Sequence, residues 1–402
     1  MKFRQSLLIV MLTAALIVLP AVGGLAATNE VKIMLFYAPD DAFWAVAREF
    51  EQDYDAKVTV VETTWGEIYS KLVAGITTGD PVDLVFLHQS NFPFFVVNNA
   101  IQPVDPYFDK EDPFWALHLM DNFKWNDQYY GLAGHSTVDA YPLFYNKTMF
   151  ENYGLMTPNE YYEMGEWNWE TFLDVAEQLS VDFDYDGVND QWGVAGGILE
   201  KYVLSNNADF VRYTEDGGIE LTLGEPATVA GLQFLQDLRV KYQVDAPSSG
   251  EDLFVAGKVG MLLAGDWFAS TLNAEMKDEW DIAPFPQGPN ADTFITPAAG
   301  KAWAIPVGAK NPQGGADFLK YFLDESRFPT STKDQYTAEQ AELIDFFRST
   351  AKNTRFMGIG NLANIQYALF EDVLAGKPIA TVVDEYTPIF QAEIDKTLEG
   401  LK

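Results

Sequence analysis

The sequence predicts an α/β protein whose chain opens on a parallel, doubly wound sheet. Two observations carry this. Short apolar runs of strand character alternate with segments whose apolar residues recur at helical spacing, in the order β-α-β-α-β. The composition, 48% hydrophobic and 14% aromatic over 402 residues, supplies apolar surface for one large two-lobed fold or two ordinary domains.

The elements follow in order. Residues 31–37 form a short apolar run ending at Pro39-Asp40-Asp41, and 43–54 has helical spacing. The β-branched run 58–62 reads as the second strand. Over 65–77, Ile68, Leu72, Val73 and Ile76 share one helical face, and Gly79-Asp80-Pro81 stops the helix before the buried strand 82–87. The run 131–134 (Gly-Leu-Ala-Gly) breaks the pattern, and 140–145 is extended again. Helices are expected over 147–153, 169–179, 228–242 and 251–256. A Pro/Gly/Asn-rich break at 284–290 precedes an extended 301–307; helices follow near 315–323, 338–349, 361–375 and 383–398. The sequence contains no internal repeat.

Charge and cysteine content narrow the function. Lys and Arg number 26 against 59 Asp and Glu, which argues against nucleic acid and against an anionic membrane surface. The sequence has no cysteine, so it has no disulfide, thiolate zinc site or cysteine nucleophile. Only His88, His118 and His135 offer imidazole ligands.

Residues 1–26 have the parts of a secretory signal peptide: Lys2 and Arg4, the apolar run 6–19, then Gly23, Gly24, Ala26 and Ala27. Cleavage is expected after Ala26 or Ala27. Pro20 and Gly23-Gly24 cut the run below the roughly 18–20 residues a membrane span needs. Removing Lys2 and Arg4 leaves 24 − 59 = −35. An exported, soluble, periplasmic protein is expected, without a lipid anchor because there is no lipobox cysteine.

Six segments in order resemble the bacterial extracellular solute-binding proteins of family 1, the receptors of carbohydrate ABC transporters. They are LVAGITTGDPVDLVFL (72–87), GLAGHSTVDAYPLFYNKTMFENYGL (131–155), NWETFLDVAEQLS (168–180), DFDYDGVNDQWG (182–193), LFVAGKVGMLLAGDWFAS (253–270) and DVLAGKPI (372–379). Ala133 stands where the family more often has Pro, Asn168-Trp169-Glu170 replaces Thr-Trp-x-Glu, and Ala299-Gly300 replaces a Gly-Gly pair. The resemblance implies a two-lobed periplasmic-binding-protein fold (type II). Each lobe would be a doubly wound sheet flanked by helices, with a ligand cleft between the lobes. Lobe 1 would combine 28–136 with 297–347 and lobe 2 would combine 138–294 with 350–402, with crossings near 131–140, 292–298 and 347–353. It also implies a monomer that captures a sugar or oligosaccharide by hinge closure and delivers it to ABC permease subunits.

Sugar recognition needs aromatic platforms for C–H faces and polar groups for hydroxyls. Position at strand exits selects Tyr37, Trp65, His88 and Gln89. The inferred crossing supplies His135 and Asp139, the Gly-x-Trp element Asp266 and Trp267, and the late extended run Trp303. Each has a plainer reading as core, turn or hinge.

Asp182, Asp184, Asp186, Val188 and Asp190 have the spacing of a calcium loop, although Gly193 stands where a bidentate Glu would close it. A structural calcium ion is the one expected metal; the alternative is an acidic turn whose carboxylates cap their own backbone. No catalytic motif is present: there is no P-loop, Gly-x-Ser-x-Gly or His-Glu-x-x-His. The rival readings are a receptor of the same fold for a polyamine, glycerol phosphate or peptide, and an exported glycan-degrading enzyme.

Overall fold

The structure, a computed structural model, describes residues 29–399 except 65, 90–91, 126, 135–137, 215–217, 248–249, 293, 325–332, 353–358 and 360–361. The segment 1–26 that is expected to be a signal peptide, Trp65, His135 and the Asp139 side chain lie outside the described residues.

The chain builds one sheet, leaves it for a second, and returns. Strands β1 (Glu30–Leu35), β2 (Lys57–Glu62), β3 (Leu84–His88), β4 (Ile101–Gln102) and β5 (Val138–Ala140) come first. Strands β6 (Leu143–Asn146), β7 (Trp192–Ala195), β8 (Val259–Leu263) and β9 (Trp280–Ala283) make the second sheet. Strands β10 (Thr296–Pro306) and β11 (Ala351–Lys352) rejoin the first. The first sheet runs β11-β10-β3-β1-β2, with β4 and β5 also on β10; the second runs β9-β6-β8-β7.

The opening β1–β3 unit is parallel as expected, but neither sheet is parallel throughout. β10 joins β3 antiparallel, and in the second sheet only β7 and β8 are parallel. Strands that arrive from the other sheet enter without a crossover helix, so they are free to pair antiparallel.

Local sequence sets the helices. Asp40 caps Asp41–Tyr54 by accepting the Phe43 N–H at 2.8 Å, and Phe43, Val46, Ala47 and Phe50 bury one face. Phe50 meets Phe318 at 5.2 Å; burial of such a ring is worth about 2 kcal/mol, and Phe50→Ala would cost roughly 3–5 kcal/mol. Helix Trp169–Leu179 opens on an Asn168/Thr171 capping box and buries Trp169, Phe172, Val175, Ala176 and Leu179. The final helix, Ile379–Glu399, starts earlier than its periodicity suggests and carries Pro388 inside it.

The cores divide as the sheets do. One set of buried residues draws on 31–133 and 298–323, the other on 140–285 and 336–394. Helix Ala338–Ser349, expected with lobe 1, is a correction: Tyr336, Ile344 and Phe347 pack with Phe144, Val259 and Phe268 of the second core. Its cap Thr337 is local, but its apolar face carries no mark of which lobe receives it.

Two small hairpins stand outside both sheets: Lys124–Trp125 with Gln128–Tyr129, and Val211–Tyr213 with Ile219–Leu221.

Candidate functional site

The carboxyl ends of the two sheets converge on one crossing. β5 pairs with residues 298–300 of β10, and after two intervening residues β6 begins opposite the end of β8, Leu143 facing Leu263. β10 runs on from Gly300 to Lys301, which faces His88 at the end of β3. Ligands of open α/β sheets sit beyond such strand ends. Two of them face across this crossing.

On the first sheet, parallel β2, β1 and β3 bring Thr63, Tyr37 and His88-Gln89 to one edge. The Gln89 backbone N–H donates to Gly300 O at 3.0 Å, and its side-chain Oε1 accepts the Gly300 N–H at 3.0 Å. Among the described residues, that clamp leaves Gln89 Nε2 buried with no partner; Thr63 Oγ1 is likewise buried and unpartnered among them. Buried polar groups are normally paired, so two at one strand edge mark a place where an outside partner fits.

Tyr37 is 41% exposed, with its ring edge-on to Phe36 and Phe86. It is open to solvent from one side and ringed by protein on the other. Burial, helped by Asp40, pushes its phenol up to about 12. Burial, then the nearby charges of Lys301 and Lys201, hold His88 down to about 3, so its imidazole is neutral at physiological pH. Tyr37, Thr63, His88 and Gln89 are therefore all uncharged.

On the second sheet, β7 ends at Gly196-Gly197 and β8 at Gly265-Asp266-Trp267. Gly196 has φ +80°, and a Cβ there would stand 2.3 Å from Leu263 O, so the turn needs glycine. Helix Leu199–Ser205 follows, buried along its whole length. Lys201 Nζ donates to Ala298 O of β10 at 2.9 Å, lies 4.3 Å from the Tyr141 ring centre and 3.8 Å from Glu200. This lysine ties the second lobe's helix to the crossing strand.

Beneath Gly197, Asp245 Oδ2 accepts from Arg239 Nε at 2.7 Å. Burial nevertheless pushes its carboxyl up to about 6, against the pull of Arg239. Asp245 Oδ1 and the Tyr202 hydroxyl are buried without partners among the described residues.

The structure keeps some predicted residues at the edges and removes others. Trp267 is at the second edge and 44% exposed, so part of its ring is open to solvent. Asp266 is a correction: it is 1% exposed and its Oδ2 accepts from Arg348 Nη2 at 3.0 Å and Nε at 3.3 Å, so it is an ion-pair partner and not an open hydroxyl acceptor. Trp303 is also a correction. It sits two residues deeper than Lys301 along β10, is 2% exposed, and packs edge-on to Phe86 at 5.1 Å.

The Asp139 backbone pairs with β10 at the crossing, opposite Ala299. Thr63, Asp245 and Arg348 were missed. Thr63 had a signal, being polar directly after a strand; the other two are defined only by distant partners.

In the Asp-rich loop, carboxylate oxygens of Asp182, Asp184 and Asp190 lie within 4.8 Å of one another. Asp186 instead accepts the Val188 N–H at 2.9 Å, and Asp182 accepts those of Tyr185 and Gly187. These backbone bonds, that from Gly187 first, hold Asp182 below the usual carboxylate range. The donor set suits a hard cation through three of its four carboxylates.

Two lobes joined by short crossing strands, with sheet edges facing across them, define a protein of the hinged binding class. The chain belongs to the family described as bacterial extracellular solute-binding protein, which it matches over residues 38–326. Among solved structures it is similar to an ABC substrate-binding protein from Listeria monocytogenes in complex with cycloalternan, at 19% identity and TM-score 0.73, covering 92% of this chain and 99% of that one. It resembles a cyclo/maltodextrin-binding protein complexed with maltotetraose (17% identity, TM-score 0.71, 91% and 97% covered). UgpB from Mycobacterium tuberculosis in complex with glycerophosphocholine is comparably similar (17% identity, TM-score 0.73, 91% and 99% covered). The family and these neighbours are binding proteins by description.

Proposed function

We propose that this protein is the periplasmic receptor of an ABC importer, a monomer without a lipid anchor or catalytic activity, and that it captures a neutral sugar or oligosaccharide. The observation that carries the sugar is the first sheet's edge. Its spare hydrogen-bonding capacity, Thr63 Oγ1 and Gln89 Nε2, is uncharged, and its titratable neighbours Tyr37 and His88 are held neutral. A phosphate would call for an Arg or Lys clamp; Arg239 and Arg348 are committed to Asp245 and Asp266, and Lys201 to Ala298 O and Glu200, so Lys301 beside His88 does not face a second cation with which to form one. A polyamine would call for open carboxylates, and Asp245 and Asp266 are buried in the same pairs.

Capture proceeds by population shift. Solute touches both edges only when the lobes approach, so it binds the closed form more tightly and draws the equilibrium toward it. Trp267 supplies a stacking face from one lobe while Thr63 and Gln89 supply hydroxyl partners from the other. The ABC permease would then read the closed shape.

Calorimetric titration with maltotriose, mannotriose, glycerophosphocholine and spermidine tests this. Saturable binding of a sugar supports the reading; binding of glycerophosphocholine or spermidine alone refutes it.

The 182–190 loop is proposed to take a structural calcium ion through Asp182, Asp184 and Asp190. Added calcium should raise the melting temperature, and Asp184→Asn should abolish the rise. No rise in the parent protein ends that assignment.

A further inference from the structure

The two small hairpins belong to opposite lobes, and they touch. Trp125 of the first meets Tyr213 of the second with ring centres 6.4 Å apart at 84°. Tyr213 packs on both lobes' cores, and Val211 and Ile219 of its own hairpin are buried in the second. Trp125 is 8% exposed, and its indole Nε1 is buried with no hydrogen-bond acceptor among the described residues.

This contact continues the first sheet's edge. Phe92 lies 6.3 Å from Trp125, and its backbone N–H donates to Gln89 O at 3.3 Å. Phe92 thus links Trp125 to Gln89, and each of the two carries a buried donor with no partner among the described residues.

An indole N–H is a donor only, and its hydration is lost when it is buried. Were the lobes to part, Tyr213 would leave and water would accept that bond. Closure on an empty cleft strips the water and supplies nothing. Closure on a polyhydroxyl solute supplies an oxygen.

We propose that Trp125 is a solute-sensing donor at one end of the cleft. Its N–H bonds a hydroxyl of the captured sugar's end unit, and Tyr213 seals it from the opposite lobe. The group thereby disfavours empty closure and contributes to the loaded form. The proposal rests on the sugar-receptor reading.

Trp125→Phe keeps a ring and removes the donor; Tyr213→Ala removes the seal from the other lobe. Small-angle scattering on the empty proteins should give Trp125→Phe a smaller radius of gyration than the parent and Tyr213→Ala a larger one. Titration with maltotriose or mannotriose, whichever saturates the parent, should show about fivefold weaker binding in both variants. Equal radii for the empty parent and Trp125→Phe overturn the proposal even where no sugar binds. Unchanged sugar affinity in Trp125→Phe overturns it too. A parent that binds no sugar refutes the receptor reading alone, because the scattering comparison needs no ligand.

Discussion

At the ends of β2 and β3, Thr63 and Gln89 are buried with hydrogen-bonding capacity to spare. At the ends of β7 and β8, the carboxylates Asp245 and Asp266 are tied to Arg239 and Arg348, and the exposed feature is the Trp267 ring. One edge keeps polar groups in reserve; the other spends its charges on its own framework. The difference suggests a division of labour, with hydroxyl selection on the first lobe and a stacking platform, held by ion pairs, on the second. A hinge can use both only together.

The largest test breaks the second framework. Arg348→Ala leaves Asp266 buried and alone, which should cost about 3–5 kcal/mol in urea unfolding. A loss under about 1 kcal/mol would mean that the pair does not hold the edge.

Next in size is pH, where the two lobes have opposite slopes. With its carboxyl raised from 3.8 to about 6, folded Asp245 keeps a proton that the unfolded chain releases, so stability falls as pH rises through that window, by about 3 kcal/mol. With its imidazole lowered from 6.5 to about 3, folded His88 refuses a proton that the unfolded chain takes, so stability falls as pH drops through that window. Asp245→Asn should therefore steepen acid destabilisation below pH 6.5, and His88→Gln should flatten it. Matching pH profiles for both variants and the parent would refute the opposed titrations.

The smallest effects separate the edges as binding surfaces. Trp267→Ala should weaken sugar binding about tenfold, or about 1.4 kcal/mol, with little change in melting temperature because the ring is exposed. Thr63→Val should weaken it severalfold while leaving stability unchanged or higher, since its hydroxyl has no partner to lose. Unchanged affinity in Trp267→Ala would remove the platform.

Much of the fold was legible because its signals are local. Helices Lys147–Tyr153, Trp169–Leu179 and Ala338–Ser349 match their expected spans, and each begins at a side-chain cap read within three residues: Asn146, Asn168 and Thr337. Leu199–Ser205 was not legible. Every residue in it is buried, so it has no polar face and no periodicity to detect. Strand exits located Tyr37, Gln89 and Trp267 at the sheet edges, and the reading failed where depth or a distant partner decides. Trp303 lies in a strand that does reach the edge, but two residues too deep.

The sequence by itself determined the class: alternating apolar periods and local caps set the α/β elements, and six ordered segments carry the resemblance to the solute-binding family. Tertiary structure decided which polar groups are spoken for. Asp266 meets Arg348 across 82 positions of chain and Gln89 meets Gly300 across 211. Periodicity and capping act within a few residues, whereas pairing a buried polar atom depends on whatever the folded chain brings beside it. For that reason Asp266 changed from a candidate ligand contact to part of the scaffold, and Thr63 became a candidate contact.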